Sequence, residues 1–213
     1  MPEGVFEKRG VGNTPEVLVL QVAGPETIDS PNLSNPKIKE FCQAFGVSTE
    51  ILQKLLGNQP NLDEFQPQGP DQFPVIGEDG RKEEDITLYL VNLPKVGITE
   101  VSLNILHQGA IKPSDNTSLH LKTKSGEEAG DFEILYGLTG SFTLTFPESA
   151  EPVAPGVYAT SAQRKSIEVN PGTLVFIKAP NPNGWTAVSK EQCRFEYICN
   201  PPWHNENIRK ALD

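Results

Sequence analysis

The feature that most limits how this chain can fold is a succession of short apolar runs separated by turn residues. From Asp85 onward the sequence reads "ITLYLVNL", "TEVSLNILHQ", "SLHLKTK", "FEILYGLTGSFTLTF", "KSIEVN", "TLVFIKA" and "CRFEYICN". Runs of this length, rich in β-branched and aromatic residues and bounded by Gly, Pro, Asn and Asp, read as strands. Seven or more at this spacing indicate an all-β sandwich or barrel. The high Pro 19 and Gly 18 suit a loop-rich β fold rather than a helical one. The closing "PPWHNENIRKALD" reads as a turn followed by a short C-terminal helix from about Asn205.

The first part of the chain has a different character. Val17–Ala23, "VLVLQVA", reads as one strand. Over 36–57, Ile38, Phe41 and Phe45, then Ile51, Leu52, Leu55 and Leu56, follow helical spacing. The break is "GVS", with Ser48 as N-cap and Gly57 as stop. The outline resembles a helix-turn-helix, but it lacks a basic recognition face, so a helical hairpin is expected. Residues 58–84, "NQPNLDEFQPQGPDQFPVIGEDGRKEE", read as a long loop or strap packed through Phe65, Phe73 and Val75. The expected organisation is an N-terminal extension over 1–84 (strand, helical hairpin, strap) on a β barrel with its C-terminal helix over 85–213. The apolar faces of the hairpin have to be buried on the barrel or on a partner subunit.

With a net charge of −10 the chain has no basic footprint for nucleic acid or for an anionic membrane surface. It has no apolar run long enough to span a bilayer. "MPEGVFEKRG" has no signal-peptide core. The odd number of cysteines, Cys42, Cys193 and Cys199, fits free thiols in a reducing compartment. Cys193 and Cys199 share a face if one strand carries both. These features lead us to expect a soluble cytoplasmic protein with no nucleic-acid or membrane partner.

Two segments resemble the motifs of the cupin superfamily. "EILYGLTG", Glu133–Gly140, matches the E-x6-G ending of the first cupin motif, and "PGTLVFIKAPNPNGW", Pro171–Trp185, is similar to the second. The resemblance covers roughly 85–202. It implies a cupin-like jelly-roll barrel, and a homodimer as the default assembly. Gly140 permits a tight hairpin between the two halves of its run, and Gly172 turns the chain into "TLVFI". In a small barrel alternate residues face inward. Glu133, Leu135 and Gly137 therefore share one face, and Ile134, Tyr136 and Leu138 the other. Glu133 then either enters the lumen or lies on the outside; the cupin resemblance implies the lumen.

In the cupin family a divalent metal is held by two histidines of an H-x-H, the motif glutamate and a second-motif histidine. Here the H-x-H segment reads "SLHLKTK", with His120 followed by Lys122, or preceded by Ser118, where a histidine would stand. The spacing to Glu133 is longer than the family's, and Asn183 occupies the place of the second-motif histidine. At most His120 and Glu133 survive as ligands, too few for a transition metal. No cofactor is therefore expected; a metal held through His120 and Glu133, with Glu127 or Glu128 rotating in, is the alternative.

The resemblance then points to a small-molecule-binding protein. Its enzymatic form is a metal-independent lyase, isomerase or cyclase with His120, Lys122 and Glu133 as catalytic acid and base. His107, Tyr136, Asn183 and Trp185 are the candidate substrate-binding residues. A metal-dependent dioxygenase with non-standard ligands and a non-catalytic binding protein remain open, because fold alone does not choose among them. So do the plainer readings. His120 serves a structural histidine equally well, Lys122 and Glu133 form a cross-strand ion pair, Tyr136 and Trp185 pack in the core, and His204 sits at the surface.

Overall fold

The computed structural model describes residues 5–6, 17–77, 79–112, 132–147, 150–154, 157–160, 164–178, 186–200, 202 and 211–212. The strands are β1 Val5–Phe6, β2 Val17–Gln21, β3 Gln68–Ile76, β4 Lys82–Leu93, β5 Gly97–Leu106, β6 Ile111–Lys112, β7 Phe132–Thr139 and β8 Phe142–Pro147. They continue with β9 Ala150–Ala154, β10 Val157–Thr160, β11 Arg164–Val169, β12 Thr173–Lys178, β13 Thr186–Ser189, β14 Cys193–Asn200 and β15 Ala211–Leu212. Two helices, α1 Pro36–Phe45 and α2 Thr49–Leu55, lie between β2 and β3.

The large sheet has eight strands in the order β1-β2-β12-β7-β14-β5-β4-β3, and a smaller sheet has four in the order β11-β8-β13-β6. Read side by side, the run β12-β7-β14-β5 corresponds strand for strand to β11-β8-β13-β6. Each pair consecutive in sequence (β11 with β12, β7 with β8, β13 with β14, β5 with β6) sends one strand to each sheet. That ribbon-like wrapping is a jelly roll. A third, three-stranded sheet, β15-β10-β9, stands apart. The strand runs implied a sandwich or barrel and the cupin resemblance a jelly roll; an all-β jelly roll is the architecture found.

Two turn glycines hold the crossings. Gly140 has φ +66° between β7 and β8, and a Cβ there would sit 2.6 Å from the Gln192 carbonyl oxygen. Gly172 has φ +80°, and a Cβ would sit 2.0 Å from the Ala23 carbonyl oxygen. Any side chain at these positions would face both a left-handed backbone and a steric clash.

The helices form as the spacing predicts. Asn35 accepts a hydrogen bond from the Lys37 amide and Ser48 from the Ile51 amide, so each helix start is capped. Gly46 closes α1 in the left-handed conformation. Ile38, Phe41, Leu52 and Leu55 are all buried against the large sheet, in one core with Leu18, Leu20, Ile134, Tyr136 and Phe176. Phe41 meets Phe176 with ring centroids 4.6 Å apart, and Phe45 meets Phe132 at 5.3 Å. Dry aromatic burial of this kind supplies much of what fixes the hairpin to the sheet.

The strap differs from expectation. Phe65 is buried, but 68–76 is an edge strand paired with β4, and Phe73 is 43% exposed. Pro70 and Pro74 argue against a strand in general. At a sheet edge a missing N–H costs nothing when it points away from the neighbour, and the register shift between Gln68 and Asp71 takes up the Gly-Pro step. The C-terminal helix expected from about Asn205 falls largely outside the described residues. Within them, Ala211–Leu212 is a strand parallel to β10. Among the described residues no helix is long and apolar enough to cross a membrane.

Candidate functional site

The central strands β7, β12 and β14 of the large sheet are buried on both faces. One carries the core with α1 and α2. The other meets the smaller sheet, where Leu135, Val175, Phe195, Tyr197, Cys193 and Cys199 share a second core with Phe142, Leu144, Phe146 and Val169. Strand alternation assigns each side chain to one of these faces.

Glu133 lies on the barrel-interior face and is 1% exposed. It stands opposite Cys199 on β14, and Cys199 in turn stands opposite Glu100 on β5. Two carboxylates thus flank one thiol across three adjacent strands. At the usual strand spacing their Cα atoms lie about 10 Å apart. Tyr197, two residues along β14 on the same face, is the next member of the row. Burial, then Cys199, Glu133 and Glu100, hold its hydroxyl well above the ordinary range, so it keeps its proton. Ser102 donates from Oγ to the Tyr197 carbonyl at 3.4 Å, and the Asn104 amide donates to both Ser102 oxygens at 3.2 Å. The interior therefore holds a polar strip within an otherwise apolar lining. Chemically it offers carboxylates as acceptors or bases and a proton-bearing phenol as donor.

The other residues singled out in the sequence are placed as follows. His120 and Lys122, and likewise Asn183, Trp185 and His204, lie outside the described residues. Tyr136, a candidate substrate-binding residue, lies on the face away from the interior, opposite to that of Glu133. It is fully buried beneath the helices, and its hydroxyl donates to the Ile28 carbonyl at 2.9 Å. Its phenol is pushed up by burial first and then by Glu196 and Asp29. His107 is also corrected. Leu106, the last residue of β5, enters the interior core, and His107, which follows it, turns instead to Asp85. His107 Nε2 sits 3.1 Å from Asp85 Oδ2, and Lys82 Nζ sits 2.6 Å from Asp85 Oδ1. Hydrogen bonds from Lys82, then from His107, hold the Asp85 carboxyl below its usual range. His107 follows Glu100 by seven residues (107 minus 100), about 23 Å at the rise of a strand. The structure does not bring it to Glu133.

Glu100, Tyr197 and Cys199 were not anticipated as site residues. The signal was present in "TEVSLNILHQ", where Glu100, Ser102 and Asn104 alternate with Val101, Leu103 and Ile105. Such a pattern reads by default as polar-outside. A strand covered on both faces inverts it.

Of the cupin ligand positions only Glu133 lies among the described residues, and no three His, Cys, Asp or Glu side chains among them are disposed to hold an ion. The described residues do not make such a site by themselves.

No protein-family model and no curated protein matches the sequence. Similar solved structures include a variant of oxalate decarboxylase from B. subtilis, 15% identical, covering 68% of this chain and 32% of that one at a TM-score of 0.41. Ectoine synthase from P. lautus is 12% identical, with 71% and 88% covered and a TM-score of 0.40. A sugar phosphate isomerase from a cupin superfamily, from Silicibacter pomeroyi, is 16% identical, with 67% and 74% covered and a TM-score of 0.34. The chain spans less than a third of the decarboxylase it resembles. At this distance the function has to be argued from the chain's own residues.

Proposed function

We propose that this chain binds a small organic molecule in the interior of its barrel and that Glu133 is the polar anchor. The observation that carries the reading is the row Glu133–Cys199–Glu100 with Tyr197 beside it, all buried on the interior face. A barrel selected only for stability fills with apolar side chains. Buried carboxylates and other titratable groups gathered on one interior face concentrate where a ligand is handled. The ligand implied carries hydrogen-bond donors toward the carboxylates and an acceptor toward the Tyr197 hydroxyl. In its enzymatic form the reading is acid–base chemistry of lyase, isomerase or cyclase type, with Glu133 joined by His120 and Lys122 as catalytic groups and by Asn183 and Trp185 at the substrate.

The test is a thermal-shift screen of a metabolite library against the wild type, Glu133→Gln and Tyr197→Phe. A ligand that binds the native state raises the melting temperature in proportion to its affinity. We expect hits on the wild type that both variants lose, although each variant still melts cooperatively. Hits that survive unchanged in both variants would refute the interior site.

A further inference from the structure

On the opposite side of the large sheet, where the α2 exit loop meets the loop after β2, the surface opens into a cleft of about 490 Å³. Four carboxamides line it, those of Gln53, Asn58, Gln59 and Asn61. Asp29 and Lys54 supply its charges, and Leu56 is the one apolar side chain in the lining. We propose that this cleft is a second binding site, separate from the barrel interior, and that it takes a neutral polyhydroxylated ligand, a saccharide.

The floor of the cleft is built rather than incidental. The Gly57 amide donates to Glu196 Oε2 of the sheet at 3.0 Å. The Asn58 amide donates to Asp29 Oδ1 at 2.6 Å, and the Asn61 amide to the Lys54 carbonyl at 2.8 Å. Gly57 has φ +124°, and a Cβ there would sit 2.8 Å from Asp29 Oδ1, so the approach of the two loops requires glycine. With these backbone groups committed, the loop that carries Asn58, Gln59 and Asn61 is fixed, which lowers the backbone ordering cost on binding.

The chemistry of the lining selects the ligand class. Each carboxamide offers two N–H donors and a carbonyl acceptor. An array of them matches vicinal hydroxyls, which donate and accept together. An anion is disfavoured, because Lys54 Nζ is already 2.5 Å from Glu64 Oε1 and Asp29 stands beside it. An apolar ligand finds only Leu56. A peptide segment, which gains specificity from side-chain pockets, finds none of the apolar surface it needs.

The experiment is titration of the full-length chain with glucose, galactose and N-acetylglucosamine, followed by amide NMR, with alanine tripeptide and magnesium chloride as separate arms. We expect at least one sugar to shift the backbone amides of 58–61 and the side-chain amides of Gln53, Asn58, Gln59 and Asn61. Affinity of the order of 1 mM suits a cleft with a single apolar contact. Asn58→Ala, which keeps its own backbone bond to Asp29, should weaken that binding about tenfold, while Glu133→Gln leaves it unchanged. Absence of shifts with all three sugars overturns the proposal. So does a response confined to the tripeptide or to magnesium. Dispersed spectra of both variants show that a loss is not unfolding.

Discussion

Both faces of the large sheet bury glutamates, and Glu133 on one is treated differently from Glu196 on the other. Glu133 on β7 faces the smaller sheet and belongs to a row of polar side chains on three strands. Glu196 on β14 faces the helices and is fully buried. Its Oε2 accepts from the Gly57 amide, and its Oε1 has no hydrogen-bond partner among the described residues. Burial raises its carboxyl well above the usual range, with the Gly57 amide opposing the shift only in part. Beside it Tyr136 ties the Ile28 carbonyl to the same face. Glu196 thus acts as a neutral peg holding the N-terminal segment to the sheet. The contrast separates two reasons for burying an acid. One closes the structure on itself. The other leaves a chemically varied strip where a ligand can be handled.

The largest expected effect tests whether the two faces are equally solid. Phe176 on the helix face and Phe195 in the interior are both 0% exposed. Truncation of either to alanine should cost about 3–5 kcal/mol in denaturant unfolding. A much smaller cost for Phe195→Ala would show that the interior collapses or hydrates readily, as a ligand chamber does.

Next comes the pH dependence of the helix-face acid. Native Glu196 keeps its proton at pH values where the unfolded chain has lost it, so the native state binds more protons. Its stability contribution is complete below the ordinary carboxylate range and is lost as pH rises through the raised native value. Glu196→Gln should remove that loss, flattening the fall in stability above about pH 5 by up to roughly 1.4 kcal/mol per pH unit. Urea melts at several pH values read this directly. An unchanged slope would mean that Glu196 is ionised in the native state.

A smaller effect separates the faces by function. Glu133→Gln should weaken ligands found by the interior screen at least about tenfold, near 1.4 kcal/mol, whereas Glu196→Gln leaves their affinity alone. Equal losses in both variants, measured by calorimetry, would erase the distinction drawn between the two acids. The smallest effect lies on neither face. The Lys54–Glu64 pair is exposed, so Glu64→Gln should change stability by less than about 0.5 kcal/mol.

Much of this arrangement was legible in the chain itself. Alternation along "FEILYGLT" set Glu133 and Tyr136 on opposite faces, and the structure keeps them there. Ser48 and the apolar spacing of 36–57 gave both helices. Even spacing put Cys193 and Cys199 on one face, where both are buried. What escaped were features set by long-range pairing. β3 hides behind two prolines because only its neighbour makes a strand of it. His107, a candidate for substrate, pairs with Asp85, a partner 22 residues away that only the pairing of β4 with β5 brings to it. Glu196 alternates with Phe195 and Tyr197 in "CRFEYICN", and nothing in that run reveals the Gly57 amide that meets its carboxyl from 139 residues away.

The strand-for-strand correspondence of the two sheets also has a consequence in time. Gln21 and Thr173 share a hydrogen bond at 3.0 Å across 152 residues of sequence. During synthesis β2 therefore emerges long before β12, the strand that seats it. Until then the apolar faces of α1 and α2 have no completed sheet to lie on. Pairings this distant are slow to form and leave sticky surface open meanwhile. The nascent chain must carry its helical hairpin exposed through most of its own translation, and a ribosome stalled before residue 173 would release an aggregation-prone fragment rather than a smaller version of the fold.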